Sequence, residues 1–310
     1  MDKYSKLKKS YEELYFKEAA PLLKKYEKER KTKLIILVIV FVIVFILEAF
    51  STYLYFAFMD FDNEIVGILY GVLCFMFIVS CLILNIMQKL FAEKVKEKIM
   101  PLICRCFGSI YWREGNKRNE ENYIESCLLP NFDSSCYDDS FYGEFDGVKF
   151  EIQEPAFIKG RGKYKTIIFD GVIIKMEMNK KFKGRTVIKK DSPLHISPSE
   201  HLRHTVLEDV KFEKKFDVFT NDEVEARYLI TPSFMERINN LAVSFNASFY
   251  SCAFYKGNIF IALKTSEDLF SIGSMFVPAD DIKQYSKLCD EIISIISLID
   301  YFKLNEKTGL

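Results

Sequence analysis

Asp217, Asp222, Glu223, Glu225 and Arg227 form a dense charged group within eleven residues. Carboxylates beside a guanidinium have the right types for acid–base chemistry or for holding a cation. The same residues also suit a short helix, since Asp222 and Glu225 stand at capping-box spacing. A Glu223–Arg227 pair at i,i+4 adds only about 0.2–0.5 kcal/mol. We assign Asp217, Asp222 and Arg227 to ligand or partner contact and name no catalytic residue. His195, His201 and His204 lie within ten residues of one another, and with Cys106 or Asp191 could complete a zinc site. Their spacing matches no strong template and their segment is loop-like, so they are expected to be ordinary surface histidines. Neither a metal nor a cofactor is expected.

Between Lys159 and Lys190 stand eleven Lys and Arg residues against only Asp170 and Glu177. Beside an anionic leaflet each well-placed cation contributes about 1 kcal/mol. From this stretch Lys181, Lys183 and Arg185 are assigned as further contact residues. Lys159-Gly160-Arg161-Gly162-Lys163 is basic and flexible, but no helix follows to supply phosphate-binding N–H groups. Phosphate-loop, dinucleotide, GxSxG and HExxH patterns are absent. A formal net charge of zero and scattered aromatics argue against nucleic acid. Asp138 and Asp139, with Gly143, read as a turn.

These side chains must be positioned by a chain with two long apolar runs. Leu34–Phe58 and Ile65–Met87 span 25 and 23 residues, with Glu48 the one formal charge inside them. A helix of about 20 apolar residues crosses a hydrocarbon core of roughly 30 Å. Glu48 inside such a span costs about 2.5–3.5 kcal/mol unless it is protonated or partnered, and is read as a tolerated residue or an oligomer contact. Lys24, Lys25, Lys28, Arg30, Lys31 and Lys33 precede the first run, and Lys89, Lys94, Lys96 and Lys98 follow the second. The connection holds Asp60, Asp62 and Glu64, so both termini are expected in the cytoplasm. The first run begins too late and is too long for a cleaved signal. Six of the eight cysteines fall on the cytoplasmic side, where thiols stay reduced, and Cys104-Arg105-Cys106 lacks the gap of a redox or zinc motif.

Ahead of the runs, Tyr4, Leu7, Tyr11 and Leu14 predict a helix interrupted at Pro21. Beyond them a stalk is expected along Phe91, Val95 and Ile99, broken at Pro101. Ile110 to Asn122 reads as a linker. Alternation then predicts strands over Phe145–Ile152, Tyr164–Met178 with Asp170-Gly171 as turn or bulge, Arg185–Lys189, Thr205–Phe212 and Phe216–Phe219. Lys256-Gly257 joins a hairpin of Phe249–Phe254 and Asn258–Leu263. Thr231-Pro232 opens a helix through Phe234, Ile238 and Leu241, and a last helix is expected over 280–304 with Ile282, Tyr285, Cys289, Ile292, Ile296 and Ile299 inward.

Three segments stand together: Asp138-Asp139…Gly143 through Phe150-Glu151-Ile152…Glu154; Phe169-Asp170-Gly171-Val172-Ile173-Ile174 through Phe182-Lys183-Gly184-Arg185-Thr186-Val187; and Phe216-Asp217-Val218-Phe219…Asp222-Glu223-Val224-Glu225-Ala226-Arg227-Tyr228-Leu229-Ile230-Thr231-Pro232…Met235-Glu236-Arg237. They resemble a bacterial family of uncharacterised two-helix membrane proteins, domain-of-unknown-function family 3137. The resemblance implies the architecture and no activity.

The expected fold is α+β: an N-terminal helical arm and two-helix transmembrane hairpin, then a mixed, mostly antiparallel sheet domain with helices packed at one side. Its parts are a cytoplasmic arm over 1–33, a hairpin over 34–88, a stalk and linker over 89–125, and a cytoplasmic domain over 126–305. The expected function is a membrane-anchored binding or scaffold module of unknown ligand in the bacterial inner membrane, with the question of catalysis left open. Its partners are the membrane with its anionic lipid, and a protein partner or a second copy. A membrane-bound hydrolase using the acidic residues near Asp217–Arg227 is the alternative, followed by a small oligomeric transporter centred on Glu48.

Overall fold

The computed structural model describes residues 3–57, 63–115, 120–180, 182–190, 195, 197–244, 246–265 and 268–304. These residues fall into two compact units. One draws on Met1–Lys8, Cys104–Phe270 and Leu288–Leu310, the other on Lys9–Ile103 and Ser271–Lys287.

The second unit is built on long helices. Helix α1 (Lys3–Leu14) passes through a π-helical turn, Tyr15–Ala19, into α2 (Ala20–Ala57), and α3 covers Asn63–Cys104. Pro21 therefore does not end the helix as expected. A proline lacks the N–H and its ring crowds the carbonyl four residues back. The wider π turn immediately before it opens the ladder at that place. Pro101 likewise sits inside α3, which runs on to Cys104.

At 38 and 42 residues, α2 and α3 are roughly 57 and 63 Å long. Both are long and apolar enough to cross a membrane, and only 17% and 6% of their most apolar windows are buried. Leu37, Val44 and Ser51 form a buried seam on α2 at seven-residue spacing, and Phe41 meets Phe77 edge-on at 6.0 Å. Glu48 is half-buried on α2. The acidic connection over 58–62 lies outside the described residues.

Below the apolar stretch, Tyr11, Tyr15, Ala19 and Leu23 make the buried stripe that the arm's spacing predicts, and Phe91, Val95 and Ile99 make that of the stalk. Segment 271–287 closes on them. Arg30, expected in the basic flank, is buried instead: it grips Glu27 through Nε and Nη2 at 2.7 and 2.8 Å. Its Nη1 donates to the Met275 carbonyl at 2.7 Å, while the Ala279 N–H donates to Glu27 at 2.7 Å. The Arg30 guanidinium, followed by the Ala279 N–H, holds the Glu27 carboxyl down at about 2.

In the first unit, strands β1 (Ser109–Glu114), β2 (Ser134–Phe145), β3 (Val148–Lys159), β4 (Thr166–Glu177), β5 (Thr186–Lys190), β6 (Arg203–Thr205), β7 (Phe216–Thr220), β8 (Ser248–Tyr255) and β9 (Asn258–Lys264) form one sheet. Their order is β1-β2-β3-β4-β9-β8-β5-β7-β6, antiparallel at every described ladder. Asp146-Gly147 and Lys256-Gly257 turn the β2–β3 and β8–β9 hairpins with both residues at positive φ, as two-residue turns require. Asp170-Gly171 is no turn: β4 runs through it, and Gly171 lets the Leu263 carbonyl approach to where a Cβ would stand 2.2 Å away.

Helices α4 (Glu120–Glu125), α5 (Val210–Glu213), α6 (Glu223–Leu229), α7 (Pro232–Ser244) and α8 (Ile282–Tyr301) complete the fold. Phe234 of α7 packs on Phe254 of β8 and on Phe302 just past α8, so α7 lies on one sheet face with the residue that follows α8 against it. On the opposite face Tyr123 of α4, Leu128 and Leu129 close over Phe157, Phe169, Phe219 and Phe260.

Three local readings change. Residues 109–114, read as linker, are edge strand β1, with Ile110 its one buried side chain. Residues 210–213, read as strand, are the helical turn α5, because Asp209 accepts the Lys211 and Phe212 N–H groups as N-cap. Ile282 is exposed rather than inward.

Candidate functional site

All five residues of β7 are buried. Alternation places Asp217 and Phe219 on one face of that strand. In the antiparallel register His204 of β6 lies opposite Phe219, which makes it the diagonal neighbour of Asp217 on the same face. The distances follow from this register. His204 Nε2 is 3.3 Å from Asp217 Oδ1, and His195 Nδ1 is 2.5 Å from the same oxygen. The two imidazoles stack with centroids 4.6 Å apart, and His204 meets the Phe219 ring edge-on. One donor atom from each of His195, His204 and Asp217 falls within 4.8 Å of the other two.

Sequence reasoning chose both the histidines and Asp217 but never joined them. His201 stands exposed on a turn outside the group, Cys106 takes no part in it, and Asp191 lies outside the described residues. The period-two face of Phe216–Thr220 joins them through β6 at 203–205, whereas alternation in the sequence points to 205–212 as the neighbouring strand.

Asp217, Asp222 and Arg227 do not form one constellation. From Asp217 to Thr220 the chain is extended over roughly 10 Å. Asp222 is the N-cap of α6 and accepts the Glu225 N–H at 2.9 Å. Glu225 does not return the second half of a capping box. Its carboxylate accepts the backbone N–H groups of Lys183 and Gly184, and Asn221 accepts that of Arg185 at 2.7 Å. A side chain at Gly184 would stand 2.5 Å from that carboxylate. The second and third family-like segments thus carry a clamp between the start of β5 and α6. Arg227 is exposed and lines a groove of about 380 Å³ with Leu207, Glu208, Asp209, Ile230 and Pro232.

The basic stretch is divided as well. Lys159 to Lys165 turn from β3 into β4, whereas Lys180 to Arg185 follow the far end of β4. Twelve residues of strand put these two groups roughly 36 Å apart. Arg185 lies over the Tyr255 ring at 4.6 Å and Lys180 over Tyr228 at 4.8 Å. Lys183 is exposed, and Lys181 lies outside the described residues.

A second carboxylate group, unforeseen, gathers Asp138, Glu154 and Asp268 in a cavity of about 250 Å³ that Asp170 also lines. Asp138 and Asp139 are not in a turn but in β2, where the register shifts between Tyr137 and Ser140. Asp139 accepts the Trp112 indole N–H at 2.7 Å, which helps tie β1 to β2. Burial, then the negative charge of Asp139, pushes the Glu154 carboxyl up to about 9 against the pull of the Leu269 N–H.

Fold and site together define an α+β protein with two apolar helices and a His–Asp cluster at the sheet edge. Residues 167–304 match the model of the family described as "Protein of unknown function (DUF3137)", and the expected family resemblance holds over that stretch. The second and third family-like segments lie inside the match and the first lies outside it. No curated protein matches the chain. Among solved structures, the crystal structure of the mycobacterial trehalose monomycolate transport factor A, TtfA, is similar at 6% identity over 65% of this chain and 91% of that one. Its TM-score is 0.36, and a likeness at that level carries no argument.

Proposed function

We propose that the chain is a membrane-anchored binding module: α2 and α3 cross a bacterial inner membrane through 34–58 and 65–87, and the sheet unit engages a protein partner in the cytoplasm. The observation that carries this is the exposure of apolar side chains all along both helices, among them Ile35, Ile39, Phe45, Phe75, Ile78 and Ile86. Such surfaces are stable in lipid and not in water. The lysines beside the runs set both termini inside. Eight of the eleven basic residues fall into two separated groups and Lys175, Lys189 and Lys190 lie in β4 and β5, which favours a protein partner over an anionic lipid face as the main contact. Arg227 and its groove are the contact surface in this reading, and Asp222 acts by holding α6 in shape.

The protein should stay in the pellet after alkaline carbonate extraction. In intact cells an impermeant maleimide should label an Asp60→Cys variant, while the exposed native Cys136 should react only after lysis. Release by carbonate, or labelling of Cys136 in intact cells, overturns the anchoring and its orientation. Crosslinking pulldown from native membranes should then capture a partner that Arg227→Glu loses and Arg161→Glu keeps. A captured set unchanged by Arg227→Glu overturns the contact surface.

A further inference from the structure

We propose that His195, His204 and Asp217 bind a divalent first-row transition-metal ion, with zinc the first expectation. Two imidazoles and one carboxylate are a donor set that zinc, iron(II), cobalt(II) and nickel(II) accept, and that calcium and magnesium, which prefer oxygen, do not. A metal about 2.0–2.1 Å from each of three donors needs those donors about 3.0–3.4 Å apart. His204 Nε2 and Asp217 Oδ1 already stand at 3.3 Å. His195 Nδ1, at 2.5 Å from Asp217, is in hydrogen-bond contact, so an entering cation takes the place of the shared proton and spreads the pair by less than 1 Å.

The second observation is independent of these distances. Among the described residues His204 Nε2 is shielded from solvent and has no hydrogen-bond partner, because its approach to Asp217 lacks hydrogen-bonding geometry. A buried polar nitrogen left without a partner is destabilising unless something occupies its lone pair. Asp217, 3% exposed, is fixed on the wholly buried β7, so two of the three donors sit on paired strands. His195 comes from outside the sheet at positive φ, with a half-exposed side chain. Three protein donors leave the fourth position of a tetrahedral ion for water or a small ligand.

Cobalt(II) is the probe, because its visible bands report coordination directly. Full-length protein in detergent, carrying no polyhistidine tag and stripped with chelator, is titrated with cobalt and then with zinc. The expected result is saturable binding of one equivalent, visible bands that zinc abolishes, and a melting midpoint raised by zinc. His195→Ala should weaken binding by at least about tenfold, while His201→Ala should leave it unchanged. Because His195 is half-exposed and outside the strands, its removal spares the fold, and an unshifted metal-free melting midpoint verifies this. Asp217→Asn should also lose the bands. An absence of saturable cobalt or zinc binding, or equal binding by the parent and by His195→Ala, overturns the proposal and leaves a His–Asp hydrogen bond alone.

Discussion

Glu154 and Glu27 are carboxyls moved in opposite directions, and each predicts a distinct response. In the folded state Glu154 keeps its proton up to about 9, whereas unfolded it ionises near 4.5. Between those values the folded state holds more protons, so the contribution is full below about pH 4.5 and is lost as pH rises through 9. Glu154→Gln keeps the neutral shape without the ionisation. Its melting midpoint relative to the parent should climb from pH 4.5 to pH 9, and a flat difference across that range would refute the assignment. Glu27, held down at about 2, contributes above about 4.5 and loses that contribution as pH falls through 2. Glu27→Ala leaves the Arg30 charge buried and should cost about 3–5 kcal/mol, read as a lower unfolding midpoint in detergent. Asp222→Ala removes a cap worth about 1 kcal/mol. Glu225→Ala should cost more, because two backbone N–H groups lose their acceptor; equal costs would contradict the clamp.

At the scale of elements, Gly143 decides whether β1 belongs to the sheet. A Cβ there would stand 2.1 Å from the Ser109 carbonyl oxygen. Gly143→Ala should therefore detach β1 and expose the amides of residues 109–114 to hydrogen exchange, leaving the β3–β4 ladder protected. Unchanged protection at 109–114 would show that the edge adapts. The elements legible in the sequence are those encoded by neighbouring residues. Lys256-Gly257 carries its own turn geometry, and Thr231-Pro232 opens α7, with the Thr231 hydroxyl accepting the Phe234 N–H at 3.2 Å. The apolar runs and the stripe of Phe91, Val95 and Ile99 needed only periodicity. Illegible were features created by pairing at a distance. Ser109–Glu114 shows a single buried side chain and becomes a strand only against residues 139–144. The His–Asp cluster depends on the β6–β7 register, which no local pattern states. Pro21 misled because a π turn absorbs a break that the residue alone implies.

Across the whole molecule, chain order and structure order disagree. Ile103 ends the helical part of one unit, and that unit is completed only by Ser271–Lys287, after the whole sheet has been made. Glu27 and Arg30 wait for partners 252 and 245 residues downstream. Ribosomes add about 5–20 residues per second, so residues 275–279 emerge roughly 12–50 s after Arg30. Throughout that interval Glu27 and Arg30 have each other but lack the Ala279 amide and the Met275 carbonyl, and the cleft beside Tyr11, Tyr15 and Leu23 stands open to other apolar segments. Correct assembly is therefore a matter of timing: a nascent chain stalled before residue 271 should be cut readily by protease within residues 9–33, and one released after residue 287 should resist.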